Sequence, residues 1–182
     1  MEILDTDTLK RHSNVEYASF GNRLLATLVD FLVMLIPMGA MMYFMFMDKN
    51  MIFVLVFSII GGLYKPLMEG VYSATLGKMA VGIKMVDYDH ENLDLVQSFT
   101  KNGIYLINSA IGIASMFWLF GNEAFLEAEG FLESSIASEG NPYQIISSIW
   151  SFAIIISCFM MLASDKKQTL HDRVANTFCI KK

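Results

Sequence analysis

Four long apolar runs dominate the chain, at 24–47, 51–70, 103–121 and 143–164. The first holds one charge, Asp30. The second holds Lys65 and Glu69 near its end, and the third and fourth hold none. A bilayer core of roughly 30 Å is crossed by about 20 helical residues. Each run therefore predicts a membrane-spanning helix, the second on condition that it continues past Pro66. None alternates with the period of two that marks a membrane β-barrel strand, and a lone strand would leave backbone groups unpaired in lipid. The first run follows 23 largely polar residues and is not succeeded by a small-residue cleavage site, so it reads as a retained span.

Between the second and third runs, Ser73 to Lys78 has the form of a helix start with a hydroxyl cap. Met79 to Val86 is apolar apart from Gly82 and Lys84, and fits either a short interfacial helix or a strand. Asp94 is placed to favour the start of the following helix through its dipole. After the fourth run, Gln168 to Val174 predicts a short amphipathic turn at the membrane surface. Asn176 to Ile180 leans towards strand and could pair with Gly82 to Val86. The segment around Glu123 to Glu133 is expected to be partly helical.

Composition narrows the class. Of 182 residues, 54% are apolar and 17% charged, with a mean hydropathy of +0.47. A soluble domain carries roughly 45–50% and about 25%, so a soluble globule and a disordered chain are both excluded. The length suits one domain. Two cysteines, Cys158 and Cys179, cannot form a disulfide scaffold. The net charge of −5 gives no bulk attraction to nucleic acid. Four spans place twelve of the 13 Lys and Arg residues on one side and only Lys49 on the other. By the preference of basic residues for the cytoplasmic face, both termini and the 71–102 segment are expected inside. The 122–142 loop, with five glutamates and no basic residue, is expected outside. The expected fold is thus an all-α membrane protein in the cell membrane, a four-helix bundle with a structured cytoplasmic segment between helices two and three.

Asp30 is the most expensive residue, because an aspartate in mid-membrane costs of order 2.5–3.5 kcal/mol. Such groups face a bundle interior and have partners. Arg23 lies seven residues earlier on the same helical face, about 10 Å away along the axis, so a third group is expected to bridge them. Lys65 and Glu69 are spaced to pair, and Glu69 could also approach Asp30 from the next helix and share a proton with it. That arrangement serves a proton-coupled carrier and a neutral structural hydrogen bond equally. Pro37 and Gly39 suggest a bend in the first span. Asn108, Ser109, Ser147, Ser148, Ser151 and Ser157 suit hydrogen bonds between helices. His12, His90 and His171 show no ligand spacing, so neither a metal nor a cofactor is expected, and no catalytic constellation points to an enzyme. Fourteen methionines read as adaptable lipid-facing packing rather than a copper path.

Three blocks carry a resemblance: YASFGNRLLATLVD at 17–30, TLGKMAVGIKMV at 75–86 and QTLHDRVANT at 168–177. In order and spacing they resemble the RDD family of mainly bacterial membrane proteins, over nearly the whole chain. The arginine and two aspartates that name the family fall on Arg23, Asp30 and Asp172. The chain departs from the family in having Lys101 where an arginine often stands, and in having four spans where three are often described. The candidate ion or proton site is a buried cluster of Arg23, Asp30, Glu69, Lys78, Asp172 and Arg173 on the cytoplasmic half of the bundle, with Asp30 or Asp172 expected to meet Arg23, Lys78, Lys101 or Arg173. The resemblance implies a small polytopic membrane protein acting as a proton-coupled transporter of a monovalent cation or small solute, with Asp30 as the proton or cation site; because four spans rarely enclose a path, a homo-oligomer is then expected. The alternative it implies is a non-transporting interaction subunit that modulates a larger membrane-protein partner.

Overall fold

The computed structural model describes residues 15–182, so Lys10, Arg11 and His12 lie outside the described residues. Four helices are long and apolar enough to cross a membrane: α1 (Phe20–Phe46), α2 (Met51–Tyr72), α4 (Leu95–Phe120) and α7 (Pro142–Phe159), the last extended by a 3-10 turn to Ala163. Their apolar side chains point outwards. Ile36 is 82% exposed, Ile52 73% and Ile149 68%, a surface that only lipid can cover without large cost.

Local chemistry sets the helix ends. Ser19 accepts the backbone N–H of Asn22, starting α1 before its apolar run begins. Both α1 and α2 continue through their prolines, Pro37 and Pro66. The third spanning helix begins at Leu95, directly after the Asp94 expected at its start and eight residues ahead of the apolar run. There the Asp94 carboxylate accepts from the Gln97 N–H at 2.7 Å, and the Gln97 side chain accepts from the Asp94 N–H at 3.3 Å. This reciprocal cap pulls Lys101 into the helix, where it is 4% exposed, instead of leaving it as a flanking residue.

The chain forms two compact units. One comprises residues up to Asp30, Pro66–Lys101 and Ser157–Lys182; the other comprises Phe31–Lys65 and Asn102–Ile156. In the first, the segment that fitted either helix or strand becomes both. Helix α3 (Leu76–Val81) starts at Thr75, whose side chain accepts the Lys78 N–H, and stops at Gly82 in the left-handed conformation (φ 73°). Strand β1 (Ile83–Val86) then pairs antiparallel with β2 (Phe178–Lys181), Met85 opposite Cys179. Tyr17 bridges to Ile180 on the other side of β2. Ala18, Ala26, Ile83, Met85, Leu93 and Cys179 form the apolar core of this unit.

In the second unit, two short helices, α5 (Glu123–Glu127) and α6 (Gly130–Ala137), occupy the acidic loop. The Lys49 ammonium fastens them, donating to the Phe125 carbonyl at 2.9 Å and to the Ser134 hydroxyl, and lying over the Phe125 ring. Lys65 lies over the Tyr105 ring at 4.5 Å. The Trp150 N–H donates to the Ile104 carbonyl, whereas Ser148 bonds within its own helix, to Gln144.

A buried ion-pair network in the first unit

Helix α8 (Leu170–Val174) begins with a capping box. The Thr169 hydroxyl accepts the Asp172 N–H, and the Asp172 carboxylate accepts the Thr169 N–H at 3.2 Å. The box turns Asp172 inward to 0% exposure. There it meets Arg23, whose Nη1 donates to Oδ2 at 2.5 Å, while Nη2 donates to the Lys167 carbonyl at 2.8 Å. Burial alone would push the Asp172 carboxyl up, but Arg23, and then Lys101, hold it well below the usual carboxylate range.

Glu69, 1% exposed near the end of α2, receives two ammonium groups. Lys78 of α3 pairs with Oε1, and Lys101 of α4 donates to Oε2 at 2.6 Å. Burial would lower the pKa of Lys78, and the facing Glu69 outweighs it, so Lys78 keeps its proton more firmly than a free lysine. The Lys101 Nζ also stands 4.0 Å from Asp172 Oδ1, an oxygen without a hydrogen-bond partner among the described residues. Lys101 thereby links the Glu69 and Asp172 pairs into one network drawn from α1, α2, α3, α4 and α8.

Asp30 takes a separate place. Its Oδ2 accepts from the Thr75 hydroxyl and its Oδ1 from the Gly77 N–H, each at 2.7 Å. The start of α3 is thus fastened to α1. A Cβ at Gly77 would stand 2.0 Å from the Ala26 carbonyl oxygen and 2.8 Å from Asp30 Cγ, so only glycine permits this approach.

The structure brings together Arg23, Glu69, Lys78 and Asp172 and sets Asp30 beside Lys78 through Gly77. Arg173 is corrected: it is exposed and lies outside the network, because neighbouring residues on a helix point about 100° apart and Asp172 takes the inward position. Asp30 and Glu69, expected to approach one another, each have donors of their own: the Thr75 hydroxyl and the Gly77 N–H for Asp30, Lys78 and Lys101 for Glu69. Lys101, expected among the basic partners of Asp30 or Asp172, stands beside Asp172 and donates to Glu69.

His171 neighbours the network. Its Nδ1 lies 3.1 Å from the Ser157 hydroxyl. Burial, reinforced by Lys101, Lys78 and Arg23 against the opposing Asp172, pushes it down to about 4. An unfolded histidine titrates near 6.5. Between these values the unfolded chain binds a proton that the folded one refuses, so His171 contributes stability above about pH 6.5 that is lost as pH falls towards 4. The slope is at most about 1.4 kcal/mol per pH unit. Melting temperature in detergent is expected to fall across this window, and more shallowly in His171→Gln. Parallel curves for the two proteins would remove His171 as the cause.

Four apolar helices and a buried network of three cations and two carboxylates define a polytopic membrane protein with a charge cluster enclosed by its own chain. The chain matches the RDD family over residues 17–176 and belongs to it. No curated protein and no solved structure matches the chain.

Proposed function

We propose that this protein is a small proton-coupled carrier of a monovalent cation or small solute, with Lys101 as the exchanging group. The observation that supports this is the position of Lys101 as the third cation on two carboxylates that already hold another. If it gives up its proton, Lys78 remains on Glu69 and Arg23 remains on Asp172. A displacement of little more than an ångström carries its ammonium from Glu69 to the unpartnered oxygen of Asp172. Intramembrane ionisable groups are retained mainly for such pathways. Four spans enclose little space, so the carrier works as a homo-oligomer. It lies in the cell membrane with both termini inside, as the distribution of basic residues suggests.

A second reading, a non-transporting interaction subunit for a larger membrane protein, draws on Asp30. A carboxylate held by a hydroxyl and a backbone amide serves to fix α3 on α1 and has no need to exchange.

Purified protein in liposomes, with an imposed pH gradient and a panel of sodium, potassium and lithium, separates the two. Cation-dependent collapse of the gradient is expected from the carrier. A monomer that leaves the gradient intact and co-purifies with another membrane protein would favour the subunit and end the carrier proposal.

A further inference from the structure

Helix α8 has an outward face as well as the inward one that carries Asp172. Residues along a helix turn by about 100° each, so with His171 and Asp172 turned towards the network, Leu170, Arg173 and Val174 share the opposite side. Leu170 is 44% exposed and Val174 68%, and Arg173 is exposed beside them. The helix follows closely on the fourth span, which ends at Ala163. The Lys167 N–H donates to the Ser164 carbonyl at 3.0 Å, and Thr169 then caps α8. This connecting turn carries two more cations, Lys166 and Lys167.

The charge on this face is not neutralised by the chain. Arg23 already faces Asp172, and Lys181 pairs with Glu16. Neither Lys167 nor Arg173 forms an ion pair among the described residues. Lys166 lies over the Phe178 ring at 5.3 Å. From Ser164 to Lys182 the one exposed acid is Asp165.

We propose that this face holds the headgroup of an anionic phospholipid, with Leu170 and Val174 entering the acyl layer beside it. The planar guanidinium of Arg173 offers a phosphate two parallel donors, and Lys167 adds a second positive charge. The exposed apolar pair selects a lipid over a soluble phosphate, which would leave both side chains in water. Interfacial amphipathic segments bind through apolar area and attraction to anionic lipid together. A zwitterionic lipid covers the apolar pair but brings its own cation close to Lys167 and Arg173. This inference is independent of the carrier proposal, since it needs no proton exchange at Lys101. It gives Arg173, which stands outside the network, a role of its own.

The test uses the full chain in detergent, titrated with dioleoyl phosphatidylglycerol and with dioleoyl phosphatidylcholine. Native mass spectrometry reads the affinity of the first lipid bound. One basic residue near an anionic headgroup is worth roughly fivefold, so the two together should favour phosphatidylglycerol by roughly twentyfold. Arg173→Gln and Lys167→Gln should each cut that preference roughly fivefold, whereas Lys182→Gln, at an exposed cation outside α8 and its turn, should leave it unchanged. Leu170→Ser combined with Val174→Ser should weaken both lipids alike and keep the preference. Melting temperature checks each variant for folding, and Lys167→Gln alone keeps the test decisive if Arg173→Gln does not fold. Equal affinity for the two lipids in the unmodified protein, or a preference that survives both glutamine variants, would overturn the proposal. An equal loss in Lys182→Gln would show bulk charge attraction and overturn it too. Displacement of the lipid by glycerol phosphate would assign the face to a soluble phosphate and overturn the lipid assignment.

Discussion

Replacing Arg23 with methionine is expected to destabilise the protein by about 3–5 kcal/mol, the range for a buried ion pair that loses one partner. Asp172 has no exposure with which to recruit water, and Lys101 stands at 4.0 Å, outside hydrogen-bond range. The Lys167 carbonyl loses its donor in the same substitution. Adding Asp172→Asn should recover part of the loss, because the stranded charge disappears with its partner. The asparagine also retains an oxygen for the Thr169 N–H. Denaturant unfolding in detergent of the two single variants and the double gives the coupling between the sites. Strictly additive losses would mean that the contact does not contribute as a pair.

Gly77→Ala is the second large effect. The added methyl meets backbone, at the Ala26 carbonyl, as well as the Asp30 carboxylate. Overpacking against atoms that cannot rotate away costs about 1–3 kcal/mol, occasionally more, and here the shift also breaks the Asp30 to Gly77 hydrogen bond. A loss of at least about 3 kcal/mol is therefore expected. Gly82→Ala is the control. It has open space around it, but its φ of 73° strains any L side chain, so it should cost only about 1–2 kcal/mol. Thermal unfolding of both variants checks the order, and a milder effect at Gly77 than at Gly82 would contradict the close approach of α3 to α1.

Much of this architecture was open to reading in the sequence, for reasons particular to each element. The spans announce themselves because helical residues facing lipid must be apolar over a fixed length. The hydroxyl cap at Thr75 was legible because capping is local. The segment from Met79 to Val86 was not, since a six-residue helix and a four-residue strand share an apolar stretch too short for either period to emerge. The left-handed turn at Gly82 divides them. Asp30 and Arg23 were legible from the cost of a charge in a span and from helical spacing, whereas Asp172 came from the family resemblance. Composition and spacing alone do not join them, because Arg23 and Asp172 meet across 149 positions of chain. Lys101 was legible as a cytoplasmic-side partner for a carboxylate, whereas its bond to Glu69 depends on how α2 and α4 pack, which spacing does not show.

The measurement that bears most directly on the proposed carrier is proton-coupled cation flux in liposomes containing Lys101→Arg. Arginine supplies the positive charge that Glu69 and Asp172 face, yet it does not release its proton in a protein. With melting temperature as the control for folding, flux is expected to fall to the level of protein-free liposomes while the variant remains folded. Undiminished flux through Lys101→Arg would contradict the assignment of Lys101 as the exchanging group.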